Sequence, residues 1–139
     1  MQQFLFEFLG GQYMRLVFKL IRIILTPFML IAEKLTTPKG INRDSEAQAQ
    51  VDADCSQLAL YEFKACPFCI RVRKEMARLS LNVVKYDALD NPTHRQALKA
   101  GGGRIKVPCL RISHDNGEVQ WLYESNDIIA YLQQRFAAE

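Results

Sequence analysis

The stretch Leu58-Ala59-Leu60-Tyr61-Glu62-Phe63 runs almost directly into Cys66-Pro67-Phe68-Cys69. The first segment reads as a hydrophobic strand. The segment from Pro67 to about Ser80 reads as a helix, because Cys69, Val72, Met76 and Leu79 recur at helical spacing on one apolar face. Proline suits the first helical position, where its missing N–H is no loss. Cys66 therefore falls at the N-cap, with its sulfur facing unpaired backbone donors and the positive end of the helix dipole. That placement favours the thiolate, which is the nucleophilic form. Cys69, one turn along, is positioned to attack a mixed disulfide formed at Cys66. The spacing is that of a thiol redox site.

The competing use of two cysteines at this spacing is structural zinc. Zinc needs a second ligand pair, and neither Cys55 nor Cys109 has a partner two residues away. His94 and His114 are isolated and read as solvated surface residues, so no metal is expected. Four cysteines among 139 residues are too sparse for a disulfide scaffold. They fit a reducing compartment with one working pair. A net charge of +3 does not argue for nucleic acid. The length suggests one domain of modest size plus something extra.

The extra part is N-terminal. Residues 1–35 form a hydrophobic segment, 36–57 a polar connector and 58–139 a compact domain. Arg15, Lys19, Arg22, Thr26 and Glu33 fall in a narrow sector of one helical face, and the rest of the circumference is apolar. A buried core helix is one reading; membrane association, placed on residues 14–35, is the stronger. The uninterrupted apolar run from Ile23 to Ala32 is only about half of the roughly 20 residues a span needs. Spanning from Leu16 to Leu35 puts Lys19 and Arg22 in or near hydrocarbon, whereas lying in the interface avoids that cost. Pro27 is expected to kink either arrangement. Lys34, Lys39 and Arg43 after the segment favour a cytoplasmic C-terminal domain. No small-residue cleavage site follows, which argues against a signal peptide. Met14-Arg15-Leu16 offers an alternative start.

The connector, Thr36 to Gln57, reads as solvent-exposed. A short, weakly amphipathic helix from about Ser45 is capped by Asp44 or Ser45, and Cys55 is a small residue on a packed face. Beyond the Cys-Pro-Phe-Cys helix, Asn82 to Asp87 reads as a second strand. A helix from Thr93 to about Lys99 is broken by Gly101-Gly102-Gly103. Pro108 to Ile112 and Val119 to Tyr123 are strands joined by an Asp115-Asn116-Gly117 hairpin turn. Ser125 caps a last helix that buries Ile128, Ile129, Leu132 and Phe136. A parallel pair with a right-handed crossover, then an antiparallel hairpin, makes a four-stranded mixed α/β sheet flanked by helices.

This order, with Cys-x-x-Cys after the first strand and Val107-Pro108 opening the third, resembles the thioredoxin fold and within it the glutaredoxins. Gly103-Arg104-Ile105-Lys106-Val107-Pro108 is similar to a glutaredoxin segment. Leu122-Tyr123-Glu124-Ser125, running on through Leu132, is closer to the N-terminal domain of glutathione transferases. The resemblance covers about residues 58–136, and the whole chain looks like bacterial membrane-anchored glutaredoxin-like proteins. It implies Cys66 as nucleophile and Cys69 as resolving thiol. It implies a cis Pro108 that turns the Val107 backbone towards the cysteinyl backbone of bound glutathione, a geometry for which proline is suited. Glu124 and Ser125 would hold the γ-glutamyl end at a helix N-terminus. Lys64, Arg71 and Arg104 are candidates for the glycyl carboxylate and for thiolate stabilisation.

Four departures stand out. Lys64 lies two residues before Cys66, where the family lysine lies three before. Phe68 replaces the commoner tyrosine, and Lys106 stands where threonine is usual. Cys109 follows the proline, either as a third thiol near Cys66 or as a small buried strand residue. Arg71, Lys74 and Arg78 form a basic stripe that reads as a solvated face, against an anionic membrane surface or an acidic client.

The function implied is a glutathione-dependent thiol–disulfide oxidoreductase, held at a membrane, that reduces protein disulfides or protein–glutathione mixed disulfides. The alternative is a non-catalytic glutathione-transferase-like binding module. Further readings are an iron–sulfur carrier, disfavoured by Pro67 and Cys69, and a periplasmic oxidase if the helix spans in the opposite sense.

Overall fold

The computed structural model describes residues 2–137 and divides into two units, one ending at Leu35 and one beginning at Thr36. The first unit is a single helix, α1 (Gln2–Thr36), which continues through Pro27. Thr26 Oγ1 donates to the Arg22 carbonyl at 2.7 Å, one turn back on the polar stripe. The apolar residues around that stripe are exposed, among them Leu16, Phe18, Ile23, Ile24 and Phe28. Among the described residues no helix is long and apolar enough to cross a membrane.

The second unit runs α2 (Ser45–Cys55), β1 (Leu58–Glu62), α3 (Pro67–Arg78), β2 (Val84–Asp87), α4 (Pro92–Gly102), β3 (Cys109–Ser113), β4 (Val119–Tyr123) and α5 (Ser125–Phe136). The sheet order is β2-β1-β3-β4, with β1 parallel to β2 and antiparallel to β3, and β3 antiparallel to β4. This is the thioredoxin-like arrangement that the element order implies. All five residues of β1 are buried, as an inner strand covered on both faces requires. Leu58, Leu60, Leu110 and Ile112 face α3 and α5, meeting Val72, Met76, Ile128 and Leu132. Ala59, Tyr61 and Cys109 face the other way, onto Leu98 of α4.

The connector is not a solvated tether. Asp44 caps α2 by accepting from the Ala47 N–H at 2.7 Å, and Val51 and Cys55 enter the main core. Only these two side chains of α2 are buried, which is why its composition reads as polar. Upstream, the Ile41 N–H donates to the Arg78 carbonyl and Ser80 Oγ to the Ile41 carbonyl. A Cβ on Gly40 would stand 2.3 Å from Ser80 Oγ, so the strap needs glycine there. Arg43 donates from Nη1 to the Leu79 carbonyl at 2.6 Å and from Nη2 to the Phe136 carbonyl at 3.2 Å. One guanidinium thus ties the C-terminal ends of α3 and α5.

Two local expectations change. The helix α4 continues through Gly101 and Gly102 and ends at Gly103, which is left-handed (φ 88°). A Cβ on Gly101 would lie 2.0 Å from the Trp121 ring, and one on Gly102 1.9 Å from the Tyr123 hydroxyl. The first two glycines therefore permit close packing, and the third ends the helix. Ser125 does not cap α5. Glu124 occupies the N-cap with no side-chain cap bond, and Ser125 is the first helical residue, buried at 7% exposure.

Candidate functional site

Cys66 is the N-cap of α3, in extended backbone, with Pro67 as the first helical residue. It is half-buried, whereas Cys69 is fully buried, and all four cysteines are free thiols. Burial pushes the Cys69 thiol up to about 12, with the Phe63 backbone opposing the rise. The neighbouring Cys66 sulfur adds to the rise. An accessible thiol with a buried, protonated thiol one turn along the same helix has the polarity that stepwise disulfide exchange needs.

Beside this helix start lies a cleft of about 400 Å³. Phe68 and Arg71 of α3 line it, with Lys106, Val107 and Pro108 ahead of β3, and Glu124, Ser125 and Asn126 at the start of α5. The Val107–Pro108 peptide is cis. Lys106 and Glu124 are ion-paired, and the Lys106 ammonium holds the Glu124 carboxyl below its usual range. Glu124 has φ 71°, a backbone setting that non-glycine residues rarely adopt and that tends to occur at functional sites. Arg71 Nη2 donates to Asn126 Oδ1 at 3.0 Å, bridging the two helix starts.

Of the residues named from sequence, Val107, Pro108, Glu124, Ser125 and Arg71 come together in this cleft. Cys66 lies two residues from its wall at Phe68. Lys64 and Arg104 do not line it. Lys64 is exposed, with its carbonyl accepting from Arg73 Nη2 at 2.7 Å. Arg104 stacks over the Tyr123 ring, 4.5 Å from its centroid. Cys109 lies in the core on the α4 face, where burial pushes its thiol up to about 11. His94 stacks on Tyr86 at 4.4 Å. Among the described residues no group of three or more His, Cys, Asp and Glu is placed to hold a metal ion.

Sequence reasoning missed two residues of the cleft and one buried charge pair. Lys106 and Asn126 enter the cleft because they adjoin Pro108 and Ser125, and that adjacency was the available signal. Glu62 is a carboxylate closing an otherwise uncharged strand, buried at 6% exposure and paired with Arg73 at 2.6 Å.

The model of the glutathione S-transferase N-terminal domain family matches residues 60–139, more than half of the chain. The chain belongs to that family. It is 37% identical over 101 residues to prostaglandin E synthase 2 of Danio rerio, covering 72% of this chain and 24% of that protein. The Mus musculus protein of the same name is 37% identical over 78 residues, covering 55% and 19%. The chain thus spans about a quarter or less of the length of these curated relatives. Among solved structures, maleylacetoacetate isomerase from Anaeromyxobacter dehalogenans with bound GSH aligns with a TM-score of 0.46 at 26% identity, over 59% of this chain and 38% of that one. Wheat glutaredoxin aligns with a TM-score of 0.43 at 22% identity, over 67% and 87%. Membership of the family and the fold support a thiol-redox or glutathione-binding function.

Proposed function

We propose that this protein is a glutathione-dependent thiol–disulfide oxidoreductase that reduces protein disulfides or protein–glutathione mixed disulfides through Cys66 and Cys69. The observation carrying this is the graded pair of thiols. Cys66 is half-buried at a helix N-terminus, and Cys69 is fully buried one turn along α3. The neighbouring cleft has a size common for small-molecule sites. Glutathione carries an ammonium, two carboxylates and a thiol, and the lining residues are complementary. Glu124 meets the γ-glutamyl ammonium, and Ser125 with the α5 N-terminus meets the adjoining carboxylate. Lys106 and Arg71 are the cations available in the wall for the second carboxylate. Glu124 exchanges its internal partner Lys106 for the ligand ammonium, at a small cost for an exposed pair.

We assign α1 to a membrane surface, with the redox unit on the cytoplasmic side. Its exposed apolar residues and its Arg15, Lys19 and Arg22 stripe suit a lipid interface better than water.

The deciding assay is glutathione-dependent reduction of a disulfide and of a glutathionylated peptide by wild type, Cys66→Ser and Cys69→Ser. Turnover is expected to vanish in Cys66→Ser and to survive in Cys69→Ser for the glutathionylated peptide alone. A folded wild type that binds glutathione without turnover means a binding module instead.

A further inference from the structure

A second group of residues gathers on the α4 face of the sheet, around Arg111. The register sets Arg111 directly opposite Ala59 on β1 and Trp121 on β4, with Val84 of β2 beyond Ala59, so these side chains share one face. The helix α4 covers the neighbouring row, where Leu98 meets Tyr61 and Cys109. The Arg111 row stays partly open. Val84 is 46% exposed, and Val119, two residues before Trp121 on the same face, is 49% exposed.

Arg111 has no counter-charge there. Its Nη1 donates to the Tyr61 hydroxyl at 3.3 Å, a long bond to a neutral group, and its Nε is buried with no partner. Among the described residues no carboxylate pairs with it. Burial raises the Tyr61 phenol above its ordinary range, so that hydroxyl stays neutral and supplies no negative charge. The Tyr61 and Tyr86 rings, 5.9 and 6.0 Å from the guanidinium carbon, lie at the outer limit of cation–π attraction. Arg43 makes the contrast: its Nε is also unpartnered, but both its terminal nitrogens hold carbonyls and join two helices. Arg111 bridges only strands that the sheet already pairs. A half-buried cation with no anion costs stability, so its place on an open apolar face points to a ligand.

We propose that Arg111 anchors a second binding site, for a small amphipathic carboxylate whose apolar body lies on Val84, Trp121 and Val119. The guanidinium supplies the charge-assisted bond, and the surrounding rings and valines lower the local dielectric, which strengthens it. The Tyr61 hydroxyl accepts from Nη1 and keeps its own proton to donate to the same carboxylate. The strand positions on this half of the face hold no cation besides Arg111, so one negative charge is matched and a dianion is not. The exposed valines on either flank reward a body that leaves water. None of these residues lines the cleft beside Cys66, and the inference does not depend on the thiol chemistry.

The test titrates the full chain with octanoate, with octanol and with inorganic phosphate, read by the fluorescence of Trp121, the only tryptophan and the cross-strand neighbour of Arg111. Octanoate is expected to give a saturable change in wild type. Octanol, with the same chain and no charge, and phosphate, with the charge and no chain, are each expected to bind at least about tenfold more weakly. Arg111→Met keeps the aliphatic stem and is expected to raise the octanoate midpoint by about tenfold or more. No saturable response to octanoate overturns the proposal. Octanol binding as tightly as octanoate, or an unchanged midpoint in Arg111→Met, shows an apolar patch only and overturns it as well. Phosphate binding as tightly as octanoate overturns the amphipathic assignment. The comparison of octanoate with octanol is made on wild type, so it decides the matter even where the variant fails to fold.

Discussion

Replacing Arg43 by Met keeps the aliphatic stem and removes the guanidinium that joins α3 to α5. Its bonds to the Leu79 and Phe136 carbonyls, at 2.6 and 3.2 Å, are charge-assisted and each contribute about 1.5 kcal/mol net. Its Nε is buried without a partner, which offsets about 1 kcal/mol of that gain. The expected loss is therefore about 2 kcal/mol. For a unit of roughly 100 residues this lowers Tm by about 8–16 °C. The assay is urea and thermal denaturation of the full chain, followed by fluorescence of Trp121, the only tryptophan, which lies in the second unit. The midpoint should fall with the urea slope unchanged. A loss below about 0.5 kcal/mol would refute the clamp, and α3 and α5 would then be held by their apolar faces alone.

Two further outcomes follow from packing and burial. Gly101→Ala should destabilise by about 1–3 kcal/mol and shift Trp121 fluorescence, although alanine is the better helix former, because its Cβ meets the rigid indole at 2.0 Å; a stabilised variant would contradict this. Stability should also fall at alkaline pH. Burial raises Cys69 to about 12 and Cys109 to about 11, above the ordinary 9.0, so the unfolded chain gives up these protons first. The stabilisation is complete below about pH 9 and is lost as pH rises towards those folded values. Each thiol accounts for about 1 kcal/mol by pH 10. Urea midpoints that stay level from pH 7.5 to about pH 10 would refute it.

Much of the fold was legible because its determinants are local. Cys69, Val72, Met76 and Leu79 share a face at helical spacing, and all four are buried. The turn at Asp115-Asn116-Gly117 separates β3 from β4, and Gly117 has φ 88°. The misreadings arose where a residue's surroundings lie far along the chain. Gly101 and Gly102 break a helix in isolation, but Trp121 and Tyr123 make them contact residues. The strap at Gly40 to Arg43 reads as linker until Ser80, Leu79 and Phe136 are seen to bond to it. A fragment begun at Ser45, where the sequence suggests a helix start, would discard this clamp.

The sequence by itself determined the order of strands and helices and the seating of Cys66 at a helix N-terminus. Hydrophobic period, proline at the first helical turn and cysteine spacing all act within a few residues. Only the tertiary structure decided that Lys106 meets Glu124 across the cleft, and that Glu62 finds its counter-charge in Arg73. Burial and charge pairing depend on which segments the sheet order brings together, and no short-range pattern encodes those meetings.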